Sequence, residues 1–220
     1  MEKFTIGEAL GFAWQRVKYR LGFFMGIILF VFALPCALMF ITPALGRGMA
    51  IWWMVLMMLA TYYLMLGLIN ISIQTVRGKK PTFNDLFIHP KALLSFIIAY
   101  ILMYIPVMIG MMFLIIPGFY LFMRWYFFMF YIVERDMGPI EALTASWHAT
   151  KGSAFHLFCF TFVAGLIGML GVLALGVGVL VSMPVVMVAT ARVYCLLEDD
   201  EEAEEAAEDA DESTAVFPAE

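Results

Sequence analysis

Four amide or charged side chains, Asn70, Gln74, Arg124 and Arg192, stand inside stretches that are mostly apolar. A charge within a bilayer costs at least about 2.5–3.5 kcal/mol on insertion scales, so an intramembrane arginine is a functional candidate by default. Arg124 falls early in its apolar run. It is expected to snorkel toward the outer surface or to hydrogen-bond the carbonyls around Ile116 and Pro117. Arg192, in "RVY" against the "RWY" of Arg124, suits the negative end of a helix dipole and anionic headgroups. Asn70 and Gln74 lie one helical turn apart with Arg77 below them. They could line a polar vestibule or cross-link helices by hydrogen bonds.

Other chemistry has little material. His148, His156 and Cys159 lack a carboxylate or further histidine at ligand spacing, so no metal is expected. Cys36, Cys159 and Cys195 all fall in apolar runs, without CxxC spacing, as buried free thiols would. GxSxG, HExxH, P-loop and dinucleotide motifs are missing, so neither an enzyme nor a cofactor is expected.

The elements that must position these residues follow from charge segregation. The chain has 220 residues, 64% of them hydrophobic, with 14% charged and a mean hydropathy of +0.92. Arg47 is the lone charge from Leu21 to Val76, Arg124 from Ala92 to Val133, and Arg192 from Ala154 to Leu197. Each block is about twice the ~20 apolar residues that cross a bilayer, with a turn signal inside. The expected fold is an all-α integral membrane protein of six transmembrane helices in three helical hairpins. Helices are expected near 21–41, 49–75, 92–116, 119–134, 154–175 and 179–197, with turns at 42–48, 117–118 and 176–178. Nothing alternates as barrel strands would. The first apolar run is too long for a cleaved signal and is expected to be retained.

Lys and Arg are distributed unevenly. One set of loops collects Lys3, Arg16, Lys18, Arg20, Arg77, Lys79, Lys80, Lys91, Arg135 and Lys151, the other Arg47 alone. The bias predicts cytoplasmic N- and C-termini.

A repeat precedes each block. "TIGEAL" (5–10), "TFNDLF" (82–87) and "GPIEAL" (138–143) share a capping residue, an acid three places later and apolar followers. The chain divides into pseudo-repeats 1–76, 77–135 and 136–197. "EALGFAWQRVK" (8–18) and "EALTASWHATK" (141–151) place Trp and Lys at matching offsets. A short interfacial amphipathic helix is therefore expected before each hairpin. Trp14 and Trp147 would be its lipid anchors, and Lys18 and Lys151 its contacts to anionic headgroups. Pro35, Pro106 and Pro184 are expected to kink helices. "GFFMG" (22–26) and the pair Ala164 and Gly168 would permit close helix contact.

Residues 198–220 differ from the rest. They hold twelve acids and no base, whereas residues 1–197 carry thirteen bases and six acids, a net of +7. A disordered acidic cytoplasmic tail is expected, able to fold back on the basic face and compete with anionic lipid there.

The stretch "IIPGFYLFMRWYFFMFYIVERDMGPIEALTASWHATKG" (115–152) resembles a family of multi-pass prokaryotic membrane proteins. The family comprises the membrane domain attached to some glycerophosphoryl diester phosphodiesterases and related stand-alone proteins. The resemblance is clearest from about residue 80 to 197. It implies a six-helix domain of a prokaryotic cytoplasmic membrane without the acidic, metal-using catalytic barrel of the fused relatives. The function expected is a non-enzymatic scaffold or accessory domain in envelope or lipid-related processes, with a small-molecule transporter or channel as the alternative. The expected partners are membrane lipids with anionic headgroups at the cytoplasmic face and a protein of unknown identity. No nucleic-acid partner is expected.

Overall fold

The computed structural model describes the backbone of residues 5–39, 47–173 and 178–216. Most of the expected turns at 42–48 and 176–178 lies outside these residues. The described residues are helical, without a strand: α1 (Ile6–Tyr19), α2 (Leu21–Met39), α3 (Arg47–Val76), a 3-10 turn at Phe83–Leu86, α4 (Pro90–Phe113), α5 (Ile115–Arg124), α6 (Phe128–Arg135), α7 (Pro139–Ala149), α8 (Ala154–Leu173) and α9 (Val179–Val216). Six segments are long and apolar enough to cross a membrane: Leu21–Leu38, Met49–Val76, Phe83–Phe113, Ile116–Arg135, Ala154–Leu173 and Val179–Ala203. In hydrocarbon each unpaired backbone amide costs several kcal/mol, and a helix pairs them within itself.

α9 is the central element. It touches α1, α2, α3, α7 and α8, and half of its spanning segment is buried, against 22% for α2 and α8. Along α1 the buried positions are Ala9, Ala13 and Val17, a four-residue repeat of small side chains that lets α1 lie close on α9. α4 lies against α5, where backbones approach closely: a Cβ on Gly118 would fall 2.4 Å from the Met111 nitrogen. α3 ends in a Schellman motif. Lys79 N–H donates to Gln74 O at 2.9 Å and Gly78 N–H to Thr75 O at 3.3 Å, with Gly78 at φ +75°.

Several expectations are corrected. The chain reverses at Leu114 and not at Pro117–Gly118, which lie within the first turn of α5, where proline is tolerated. The fourth span is broken over Trp125–Phe127 into α5 and α6. Before α4 there is only a 3-10 turn in place of an amphipathic helix; Thr82 N–H donates to Asp85 Oδ2 at 2.6 Å, as the capping pattern predicts. Gly138 N–H likewise donates to Glu141 Oε2 at 3.0 Å, whereas Thr5 makes no side-chain cap. The acidic segment is helical from Glu198 to Val216, in place of the expected disorder. Extending an existing helix carries no nucleation cost, and Ala and Glu are good helix formers. The close contacts expected of Gly22, Gly26 and Gly168 are not made: a Cβ at each would meet nothing within 4 Å.

The segment after α3 is held to it by one tight approach. A Cβ on Gly67 would fall 2.0 Å from the carbonyl oxygen of Leu86, itself fully buried. Gly67→Ala is expected to cost about 1–3 kcal/mol through overpacking against backbone that cannot yield. Thermal unfolding in detergent should show a midpoint several degrees lower, with Gly165→Ala, which enters open space, as the neutral control. An unchanged midpoint for Gly67→Ala would refute the tight packing.

Candidate functional site

The ends of three helices meet in a charged cluster. Arg77, just past α3, places Nε 2.5 Å from Glu134 Oε1 on α6 and Nη2 2.5 Å from Glu198 Oε2 on α9. Arg135 Nε lies 2.7 Å from Glu198 Oε1, and Arg135 also pairs with Glu202. Glu198 is 2% exposed and accepts a further hydrogen bond from the Tyr194 hydroxyl at 2.9 Å. Tyr131 donates to Glu201 at 3.2 Å. The hydrogen bond to Glu134 raises the Arg77 proton affinity above that of an ordinary arginine, so this charge is permanent. The acids of the expected solvated tail are thus used to join α9 to α3 and α6. The sequence carries only a faint signal of this: a base ends two spans, Arg77 and Arg135, and an acid ends the last, Glu198.

A second polar cluster forms where the fourth span breaks. The break frees backbone groups between Arg124 and Phe127, and α7 packs there to satisfy them. The Ser146 and Thr150 hydroxyls reach the Arg124 carbonyl oxygen at 3.1 and 2.9 Å, and Phe127 N–H donates to Ser146 Oγ at 3.2 Å. Both hydroxyl residues are fully buried. Trp147, between them in sequence, stacks on the Arg124 guanidinium, with Cζ 4.2 Å from the ring centroid. Arg124 is 4% exposed, and its Nε has no hydrogen-bond partner among the described residues. Arg124 therefore ends α5 facing Trp147 and neither snorkels outward nor binds the carbonyls near Ile116 and Pro117. Trp147, half-buried, packs its ring against Arg124 and Trp125.

The remaining candidates do not converge. Asn70 Nδ2 donates to the Asp85 carbonyl at 2.9 Å, and Gln74 Nε2 donates to Asn70 Oδ1 at 3.3 Å. Both serve to fasten the segment after α3, and neither lines a cavity described below. Arg192, half-buried, lies over the Phe12 ring of α1 at 4.9 Å. Trp14 is 46% exposed, and Lys18 and Lys151 are exposed. Among the described residues no three His, Cys, Asp or Glu side chains form a metal-binding group.

Two large cavities flank the bundle core. An apolar one of about 500 Å³ lies between α3, the α5–α6 break, α8 and α9; Met65, Tyr126, Phe130, Gly168 and Met187 are among its walls. A polar cleft of about 540 Å³ at the charged end is lined by Tyr131, Arg135, Glu141, His148, Glu198 and Glu202 among others. The two share no lining residue. Between them Tyr194 stacks on Phe130 at 5.2 Å and meets Tyr131 edge-on at 5.0 Å, with Phe127 at 5.9 Å. Phe130 is 5% exposed and the other three rings less, so the four form a buried aromatic layer.

No protein-family model, curated protein or solved structure matches the chain.

Because Glu198 serves Arg77, Arg135 and Tyr194 together, Glu198→Gln should destabilise the protein by about 1.5–3 kcal/mol, the range for a hydrogen bond to a charged group. Combined with Arg77→Ala, the loss measured by thermal unfolding should be less than additive. Strictly additive losses would show that the two residues are not coupled.

Proposed function

We propose that the chain is a non-enzymatic, multi-pass protein of a prokaryotic cytoplasmic membrane, acting as a scaffold or accessory domain in envelope or lipid-related processes. The observation that carries this proposal is the aromatic layer of Phe127, Phe130, Tyr131 and Tyr194. It lies between the polar cleft and the apolar cavity, which share no lining residue, and this supports a closed bundle over a solute path. Asn70, Gln74 and Arg124, the side chains on which transport would rest, are held by a backbone carbonyl, a neighbouring amide and an indole ring. Exposed Lys18, Lys79, Lys80, Lys91 and Lys151 support contact with anionic headgroups at the cytoplasmic side. The resemblance of residues 115–152 to membrane domains of the phosphodiesterase-associated family agrees with an accessory role, in which a protein partner supplies the chemistry.

Purified protein reconstituted in liposomes tests the choice between scaffold and transporter. Ion and small-solute fluxes are expected to stay at the level of empty vesicles under an imposed gradient. A saturable, protein-dependent flux that changes in Tyr194→Ala would assign the chain to the transporters instead.

A further inference from the structure

We infer that the apolar cavity between α3, α8 and α9 is the seat of one acyl chain of a bilayer phospholipid. The walls belong to four of the six spanning segments: Met65 and Ile69 on α3, Tyr126 at the break and Met129 on α6, Ala164 and Gly168 on α8, and Met183 and Met187 on α9. Two of the polar residues along it are satisfied by their own helices. Ser72 and Thr190 turn their hydroxyls back to the carbonyls of Leu68 and Val186, each at 2.8 Å. The Ser182 hydroxyl, buried without a hydrogen-bond partner among the described residues, faces Gly171, where an added Cβ would fall 2.1 Å from it. Apolar cavities of this kind stay dry and take up apolar molecules.

Glycine usage on α8 separates packing from vacancy. Gly171 is required by its neighbour Ser182, as Gly67 is by Leu86. At Gly165 and Gly168 an added Cβ would meet nothing within 4 Å, and of the two only Gly168 lines the cavity. A mid-helix glycine costs roughly 1 kcal/mol relative to alanine, and no protein contact accounts for it here. What it provides is room.

The dimensions fit a single chain. The cavity follows α9 from Val179 to Thr190, about 16 Å at 1.5 Å per residue, which is about half the ~30 Å hydrocarbon core and so one leaflet deep. Met65 and Val172 line it and are 41% and 61% exposed, so its rim reaches the surface that faces lipid. Lipid tails are as apolar as leucine, so burial from water is not the driving force. The gain is the dispersion contact that unfilled walls lack. The inference needs the chain to be embedded in a membrane and is independent of the scaffold role.

Native mass spectrometry of detergent-purified protein provides the test, with recovery in the membrane fraction reporting embedding separately. Wild type and Gly165→Phe, whose ring enters open space on the outer side of α8, should each retain a single phospholipid per chain. Gly168→Phe should lower that retention by about tenfold, the equivalent of the overpacking cost. Equal retention in Gly168→Phe overturns the proposal, as does finding a free fatty acid or isoprenoid in place of a phospholipid. Photolabelling of wild type needs no variant to fold. In vesicles of phosphatidylethanolamine and phosphatidylglycerol carrying diazirine-tipped acyl chains, adducts are expected at Met65, Met183 or Met187. Adducts confined to outward-facing residues such as Phe162 and Leu166 overturn the proposal.

Discussion

The carboxylate of Glu198 is the point on which the bundle depends. It is buried, and it is satisfied only because Arg77, Arg135 and Tyr194 converge on it from three helices. A buried charge that loses its partners is far more costly than one that never formed, so α3, α6 and α9 are held in one relative register. The aromatic layer sits directly on this cluster, because Tyr194 donates to Glu198 through its hydroxyl and packs Phe130 and Tyr131 with its ring. One residue thereby links an ionic closure to an apolar one. The division between polar cleft and apolar cavity is a consequence of that link.

The second constraint is the obligation to satisfy backbone groups away from water. A helix broken over Trp125–Phe127 leaves carbonyls and amides that need partners, and α7 supplies them through Ser146 and Thr150. This explains why the passage Gly138–Gly152 is polar. Its hydroxyls are internal fittings as much as a wet surface. The docking of α7 also brings Trp147 over Arg124, replacing a carboxylate partner with an aromatic face. Both buried charges among the described residues, Arg124 and Glu198, thus depend on tertiary contacts, with Tyr194 of its own helix adding one hydrogen bond to Glu198.

Small residues in this bundle have two different uses. Gly67, Gly118 and Gly171 allow close approach of a neighbouring backbone or side chain, and a methyl group at any of them would collide. Gly168 keeps space open beside Ala164 on a helix otherwise rich in large side chains. Space of that kind inside a membrane invites the surrounding chains. A lipid chain seated as proposed would become part of the packing between α3 and α8, completing a wall that the polypeptide leaves incomplete.

The six spans were legible because their cause is local: a run of apolar residues long enough to cross hydrocarbon, punctuated by glycine, proline and charge, leaves the backbone only one way to pair. The ends of α2, α3, α4 and α8 fall within about three residues of the sequence expectation for that reason. The capping acids Asp85 and Glu141 were legible on the same ground, since each partner lies three residues away. Tertiary structure decided the rest. That Trp147 packs on Arg124 depends on a break in another helix, and periodicity within α7 cannot register it. Whether Glu198 opens a solvated tail or closes the core depends on two arginines more than sixty residues distant. Amphipathic pattern reports which faces are apolar; only packing determines which polar atoms find one another.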